Sequence, residues 1–352
     1  MKREFTAIVD KEDESFGIRR MLKKHFDFSS RLFAKLRHQE RVYLNGEVLK
    51  GWMHPACGDV ITCVLPEEES TFEPEDIDFD VIYEDDDILI IDKPAGYTVH
   101  PTKGHPAHTM ANAVTHYMQT AGESFKIRFV NRLDMDTTGI LVVGKNSHSQ
   151  DAMVRDMKTD RIQKYYKAIV LGTIDEDELT VDAPIGMADP TKVGRTVVAD
   201  GEGRPSVTHV RVLERYHGSI QASLLGTPDS YDGPGEPHDP EDRAPSGIIE
   251  QKTYDGLTLI ELKLDTGRTH QIRVHMSHIG HPVLGDRLYG GACDLIPRQA
   301  LHAYKLVFHH PATDEEMTVE CPLPDDMQKI LDRLAADAGC THDAKAHITT
   351  KK

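Results

Sequence analysis

Val130-Asn131-Arg132-Leu133-Asp134-Met135-Asp136-Thr137-Thr138-Gly139-Ile140-Leu141-Val142-Val143-Gly144-Lys145 decides how the chain is read. Thr-Thr-Gly turns the backbone, and the apolar run that begins at Ile140 has the length of a buried strand. Asp134 therefore falls on a loop at the end of a sheet. A rigid sheet lets such a loop expose a side chain without breaking a ladder, which is why catalytic groups gather there. Aspartate before Thr and Gly also satisfies turn donors, so Asp134 and Asp136 carry a structural reading beside the catalytic one.

Working outward from this stretch, strand pieces at 81–83 and 88–91 lead to Lys93-Pro94-Ala95-Gly96, where proline fixes one turn dihedral and glycine permits another. Val99-His100-Pro101 follows. His100, His105 and His108 sit in loop-like sequence with no accompanying carboxylate, so no metal site is expected there. Downstream, residues 147–158 read as a helix and 164–172 as a strand. Strand alternation sends one of the adjacent rings Tyr165 and Tyr166 toward a cleft and leaves the assignment open. Residues 203–213 and 257–264 read as neighbouring strands, and Asp265 to Met276 as a turn and a helix.

The formal charge is −17, which argues at first against a polyanionic partner. The acids are clustered, however. Residues 67–87 hold twelve acids and no base, and residues 217–256 hold eight acids against Arg243 and Lys252. Outside these two segments acids and bases nearly balance, so charge leaves RNA open as a partner. Segment 66–80 is acidic, proline-containing and poor in apolar residues, and reads as a linker. Segment 217–256, rich in Pro, Gly, Ser and Asp, reads as a disordered insertion between two strands. Cys57, Cys63, Cys293, Cys321 and Cys340 are odd in number and lack Cys-x-x-Cys spacing, so neither a disulfide framework nor a thiolate zinc site is indicated. With no disulfide pattern, no apolar signal region and no bilayer-length apolar run, a cytoplasmic protein is expected, and it is expected to act as a monomer.

Near the start, Ile18, Met21, Leu22 and Phe26 share one helical face, and a second helix carries Leu32, Phe33 and Leu36 inward with Arg31, Lys35 and Arg37 outward. Ser29 or Ser30 can cap it. Asn45-Gly46 between two short strands is a type I′ hairpin signal. The outward bases form either an ordinary solvated face or an RNA contact.

Arg132-Leu133-Asp134-x-Asp136-Thr137-Thr138-Gly139-Ile140-Leu141-Val142-Val143-Gly144-Lys145 resembles the central motif of the RluA-type RNA pseudouridine synthases. Four further segments agree: Lys93-Pro94-Ala95-Gly96 leading to His100-Pro101, Lys164-x-Tyr166-x-Ala168, Gly203-Arg204-Pro205-Ser206-Val207-Thr208, and Gln271-Ile272-Arg273 through His281-Pro282-Val283-Leu284-Gly285-Asp286-x-x-Tyr289-Gly290 to Gln299-Ala300-Leu301-His302-Ala303. The resemblance implies that Asp134 is the catalytic nucleophile, that Arg273 is its cationic partner, that Tyr166 stacks on the uracil or moves a proton, and that Arg132 fills the space left by a flipped base. Asn131 stands where the family usually has histidine. Residues 13–64 resemble the αL RNA-binding motif that often precedes this catalytic domain, which assigns Arg31, Lys35 and Arg37 to RNA.

The expected architecture is α+β: a small N-terminal αL RNA-binding-type domain (1–65), an acidic linker (66–80), a mostly antiparallel-sheet pseudouridine synthase catalytic domain with a central cleft (81–330, interrupted at 217–256), and a C-terminal tail (331–352). The expected reaction isomerises uridine in structured RNA, ribosomal more than transfer, with no cofactor and no metal. A carboxylate in a water-poor pocket needs a cation beside it to stay ionised, which fits the Asp134–Arg273 pairing. Two rival readings are a magnesium-dependent phosphotransferase, because Asp134-Met135-Asp136-Thr137-Thr138 also matches an Asp-x-Asp-x-Thr loop, and a non-catalytic RNA-binding protein on the same scaffold.

Overall fold

The computed structural model describes residues 3–102, 104–159, 161–187, 194–225, 248–291, 294–336 and 342–344. The N-terminal lobe runs β1 (Glu4–Ile8), α1 (Ile18–Phe26), α2 (Ser30–His38), β2 (Val42–Leu44), β3 (Glu47–Val48) and β4 (Val60–Val64). Its four strands pair in the order β1-β4-β2-β3. Ser29 caps α2 by accepting the Leu32 amide at 3.2 Å. Asn45 and Gly46 adopt φ of 49° and 85°, the paired positive angles that the hairpin between β2 and β3 requires. The apolar faces of both helices meet the sheet in one core containing Met21, Leu22, Leu32, Leu36 and Ile61.

The larger lobe contains β5 (Asp80–Glu84), β6 (Ile88–Lys93), α3 (Met110–Ala121), β7 (Arg128–Phe129), β8 (Thr138–Gly144), α4 (Ser147–Asp156), β9 (Gln163–Leu171), β10 (Glu178–Asp182), β11 (Ile185–Met187), β12 (Arg195–Val197), β13 (Val207–Leu225), β14 (Ile248–Leu264), α5 (Gln271–His278), β15 (Leu301–His309), β16 (Glu316–Glu320), α6 (Asp325–Ala336) and β17 (His342–Ala344). Eleven strands among the described residues form one sheet, with the main path β10-β13-β14-β9-β15-β8-β6-β5. β11 and β12 pair separately as a small ribbon.

Pairing is antiparallel throughout the large sheet except at its middle, where β15 and β8 run parallel and match only His302 with Thr138 and Ala303 with Gly139. This short seam positions the site. The strands diverge there, and the loop carrying Asp134 enters β8 at that point. Gly139 has φ of +111°, and a Cβ on it would lie 2.3 Å from the Ala303 carbonyl oxygen, so only glycine lets the two backbones approach this closely.

Four features depart from the sequence reading. Strands β13 and β14 continue to Leu225 and from Ile248, so the insertion expected at 217–256 is ladder at both of its ends, and its remainder, 226–247, lies outside the described residues. The segment 66–80 is not a free linker. Phe72, Ile77 and Phe79 pack on the core beneath α3, and the Ser70 hydroxyl accepts the Ile127 amide at 2.7 Å. A tail starting at 331 is also corrected, because α6 runs to Ala336 and buries Leu331. Finally, α3 was not anticipated. Its apolar positions spread around most of the helix because it is buried against the sheet, which removes the amphipathic signature, while Thr109 and Asn112 close a capping box at its start.

The lobes meet through Phe5 and Phe28, whose rings pack edge-on against His148 of α4 at 5.2 and 5.1 Å. Ser29 donates to Asp151 at 3.0 Å and Arg3 pairs with the buried Asp87. Among the described residues no helix is long and apolar enough to cross a membrane.

Candidate active site

The 130–137 loop is fixed through its backbone. Lys93, completely buried, donates to the carbonyls of Pro94, Met135 and Thr137 at 2.7, 2.6 and 3.0 Å. The Gly96 amide also reaches the Met135 carbonyl, and Arg298 donates to the carbonyl of Asp136 at 3.1 Å while Asp326 holds the other side of its guanidinium at 2.7 Å. Burial pulls Lys93 down to about 7, against the pull of the nearby Asp136 and Asp134 carboxylates. None of these loop anchors engages the Asp134 carboxylate. That group projects into a cleft of about 690 Å³, lined also by Arg132, Lys164, Tyr166, Arg204 and Arg268.

Asp136 turns the other way. Its side chain is buried, burial raises its pKa, and one carboxylate oxygen has no hydrogen-bond partner. Three groups of His, Cys, Asp or Glu among the described residues are close enough to share an ion, and none contains Asp134 or Asp136.

Arg273, on the first turn of α5, brings Nη1 to 3.3 Å from Asp134 Oδ2. This is the pairing expected from the sequence, but it is the weaker half of the arrangement. Asp286, fully buried, accepts Nε at 2.7 Å and Nη2 at 2.9 Å, a bidentate pair that fixes the plane of the guanidinium. Asp286 and Tyr289 both lay in the motif at 281–290 and were given no role. His270, in left-handed conformation at φ 59°, stands 3.9 Å from Asp134 and bonds the Tyr289 hydroxyl at 2.8 Å. Burial lowers its pKa, which favours a neutral ring, and the Tyr289 phenol is pushed up to about 12.

Tyr166 is the ring that faces the cleft. It is buried beside Leu133 at the edge of the central core, and burial together with the Asp134 charge pushes its phenol up, so it stays un-ionised. The Tyr165 hydroxyl instead donates to Gln163 at 2.7 Å. Arg132 is exposed at the cleft. Asn131 is occupied by the sheet: its amide donates to the Ile140 carbonyl and accepts the Val142 amide, at 3.0 and 2.9 Å. Position 131 thus extends the β8 ladder and adds no titrating group. Arg31, Lys35 and Arg37 lie on α2 and do not line this cleft. Arg31 and Arg37 are exposed, while Lys35 is bonded to Glu68 at 3.1 Å.

A family model described as RNA pseudouridylate synthase matches residues 87–278. The chain is 35% identical over 299 residues to the uncharacterized RNA pseudouridine synthase YlyB of Bacillus subtilis, covering 84% of this chain and 86% of that one. It is 37% identical to the ribosomal large subunit pseudouridine synthase D of Vibrio parahaemolyticus over 88% of each chain, and 33% identical to the Escherichia coli protein of that name over 95% of each. The fold matches the solved structure of human RNA pseudouridylate synthase domain containing 1 with a TM-score of 0.51 at 24% identity, over 76% of this chain and 98% of that one. With its family motifs gathered around one cleft and relatives of this identity along most of its length, the chain belongs to the RluA-type RNA pseudouridine synthases and is an isomerase acting on RNA.

Proposed function

We propose that this enzyme converts uridine in large-subunit ribosomal RNA to pseudouridine, with Asp134 as the attacking group. The isomerisation breaks the bond from ribose C1′ to uracil N1, rotates the ring, forms the bond from C1′ to C5, and moves one proton from C5 to N1. Nothing is added or lost, so one carboxylate that adds to base or ribose, or removes a sugar proton, suffices. The observation that carries this reading is the division of labour in the loop: its backbone is anchored from several directions while the Asp134 carboxylate is left to the cleft, with Arg273 at 3.3 Å. Such anchoring holds a reacting group in position before substrate arrives.

The neutral Tyr166 phenol offers the flipped uracil a stacking surface and a hydrogen bond. Arg132, exposed two residues before Asp134, fills the gap that the base leaves in its helix, since a target inside a stack is unreachable. Lys164, Arg204 and Arg268 bind the flanking phosphates. The N-terminal lobe serves as an αL-type RNA-binding domain, with Arg31, Lys35 and Arg37 adding sequence-independent affinity. The names of the relatives favour ribosomal over transfer RNA. Pseudouridine mapping in RNA from cells with and without the gene tests the assignment. Loss of modification in large-subunit ribosomal RNA is expected, and loss confined to transfer RNA would refute the substrate.

A further inference from the structure

The three ion-sized groups of side chains differ in how their charge is balanced. Asp10, Asp13 and His25 already hold the ammonium of Lys24, at 2.9 Å from Asp10 and 3.1 Å from Asp13. In the group of Asp85, Asp87 and His310, Asp87 pairs with Arg3 and accepts hydrogen bonds from Asn146 and Ser149. In the group of Asp92, His302 and Cys321, no ion pair among the described residues involves Asp92, on which the Lys93 charge acts only from a distance, and Asp92 stands directly opposite Asp80 in the ladder of β5 with β6. Like charges facing each other across a ladder are destabilising unless a cation joins them.

The donors are also arranged as ligands. Their donor atoms all lie within 4.8 Å of one another, and Cys321 Sγ is 3.3 Å from His302 Nε2. In tetrahedral zinc coordination, with bonds of about 2.3 Å to sulfur and about 2.0 Å to nitrogen, those two atoms stand roughly 3.5 Å apart. His302 Nδ1 contacts Thr138 Oγ1 at 2.9 Å. This contact holds the ring with Nε2 facing the Cys321 thiol. An outer partner on the second ring nitrogen is the usual support of a histidine ligand.

We propose that Asp92, His302 and Cys321 form a binding site for a zinc-class divalent cation. Binding would exchange the thiol proton of Cys321 for the ion and release it to solvent. The ion would join β6, β15 and the segment after β16. His302 and Ala303 are the residues that pair with Thr138 and Gly139, so the ion would brace the seam behind the Asp134 loop without touching the cleft. Its role is structural, and the site uses none of the residues assigned to the isomerisation. Cysteine spacing could not reveal it because the three ligands are far apart in sequence, on β6, on β15 and just after β16.

Cobalt(II) is the probe for this site. The full chain, reduced and stripped with chelator, should develop a thiolate-to-cobalt absorption band that saturates at a single equivalent, is displaced by zinc, and accompanies a rise in melting temperature. Cys321→Ala should lose the band and Cys57→Ala should keep it. Asp92→Asn, which preserves shape, should weaken binding at least tenfold and decides the matter if Cys321→Ala does not fold. Absence of the band in the parent, its persistence in Cys321→Ala, or parental affinity in Asp92→Asn would overturn the site. The readout is independent of pseudouridine formation, so failure here leaves the catalytic reading standing, and the reverse holds as well.

Discussion

Arg273 is held by Asp286 more firmly than by Asp134: two guanidinium nitrogens meet Asp286 at 2.7 and 2.9 Å, and a third reaches Asp134 at 3.3 Å. The buried aspartate sets the orientation, and the cleft aspartate uses the charge that remains. Asp286→Ala should therefore strip a buried cation of its partner and cost about 3 to 5 kcal/mol of stability. Asp286→Asn should keep the fold but let the guanidinium tilt, lowering single-turnover pseudouridine formation about tenfold or more, equivalent to at least ~1.4 kcal/mol of barrier. Parental rates and melting temperatures in both variants would remove Asp286 from the site.

On α2, Arg31 and Arg37 are exposed and Lys35 is engaged by Glu68. Neutralising Arg31 and Arg37 should flatten the salt dependence of RNA binding by roughly 0.7 log-log units per lost phosphate contact on single-stranded RNA. Lys35→Gln should change the slope less. Equilibrium binding across a salt series reads both. An unchanged slope in the double variant would return these residues to an ordinary solvated face.

How much of this was legible beforehand follows from where the information lies. The hairpin at Asn45-Gly46, the two amphipathic helices and the strand after Thr138 were readable because turn chemistry and periodicity are local. The loop with Asp134 and the residues Tyr166 and Arg273 came from motif resemblance. Spacing alone left Tyr165 and Tyr166 equivalent. Asp286 as the partner of Arg273, and Arg298 as an anchor of the 130–137 loop, were not readable, since each contact depends on the packing of distant elements. Helix α3 was hidden by its own burial. The segment 217–256 misled because its polar composition masks two strand ends that the ladder of β13 with β14 holds in place.

That ladder narrows a test of the acidic segment. Replacing residues 226–247 with Asn-Gly should leave turnover within a few-fold, because Leu225 and Ile248 are already paired across the ladder and a two-residue turn can join them. A hundredfold loss with an intact circular dichroism spectrum would mean that the segment contributes to RNA binding or chemistry.

His148 makes the junction of the lobes sensitive to acid. Its ring is buried between Phe5 and Phe28, its Nδ1 has no hydrogen-bond partner, and burial lowers its pKa despite the nearby Asp87 and Asp27, with Arg155 adding to the depression. The unfolded chain therefore binds a proton that the folded chain refuses, and stability falls as pH drops through the ordinary histidine value of about 6.5. His148→Phe should flatten the acid side of the stability profile between about pH 7 and 5. Identical acid slopes for parent and variant in chemical denaturation would contradict this.

If the Asp134 carboxylate performs the chemistry, single-turnover pseudouridine formation by Asp134→Asn and Asp136→Asn on large-subunit ribosomal RNA must separate the two aspartates. Asparagine is nearly isosteric, so RNA affinity should survive in both. Asp134→Asn should lose at least about a thousandfold in rate, roughly 4 kcal/mol of barrier. Asp136→Asn should stay near parental, because that side chain is buried and does not line the cleft. A near-parental rate for Asp134→Asn would contradict the account.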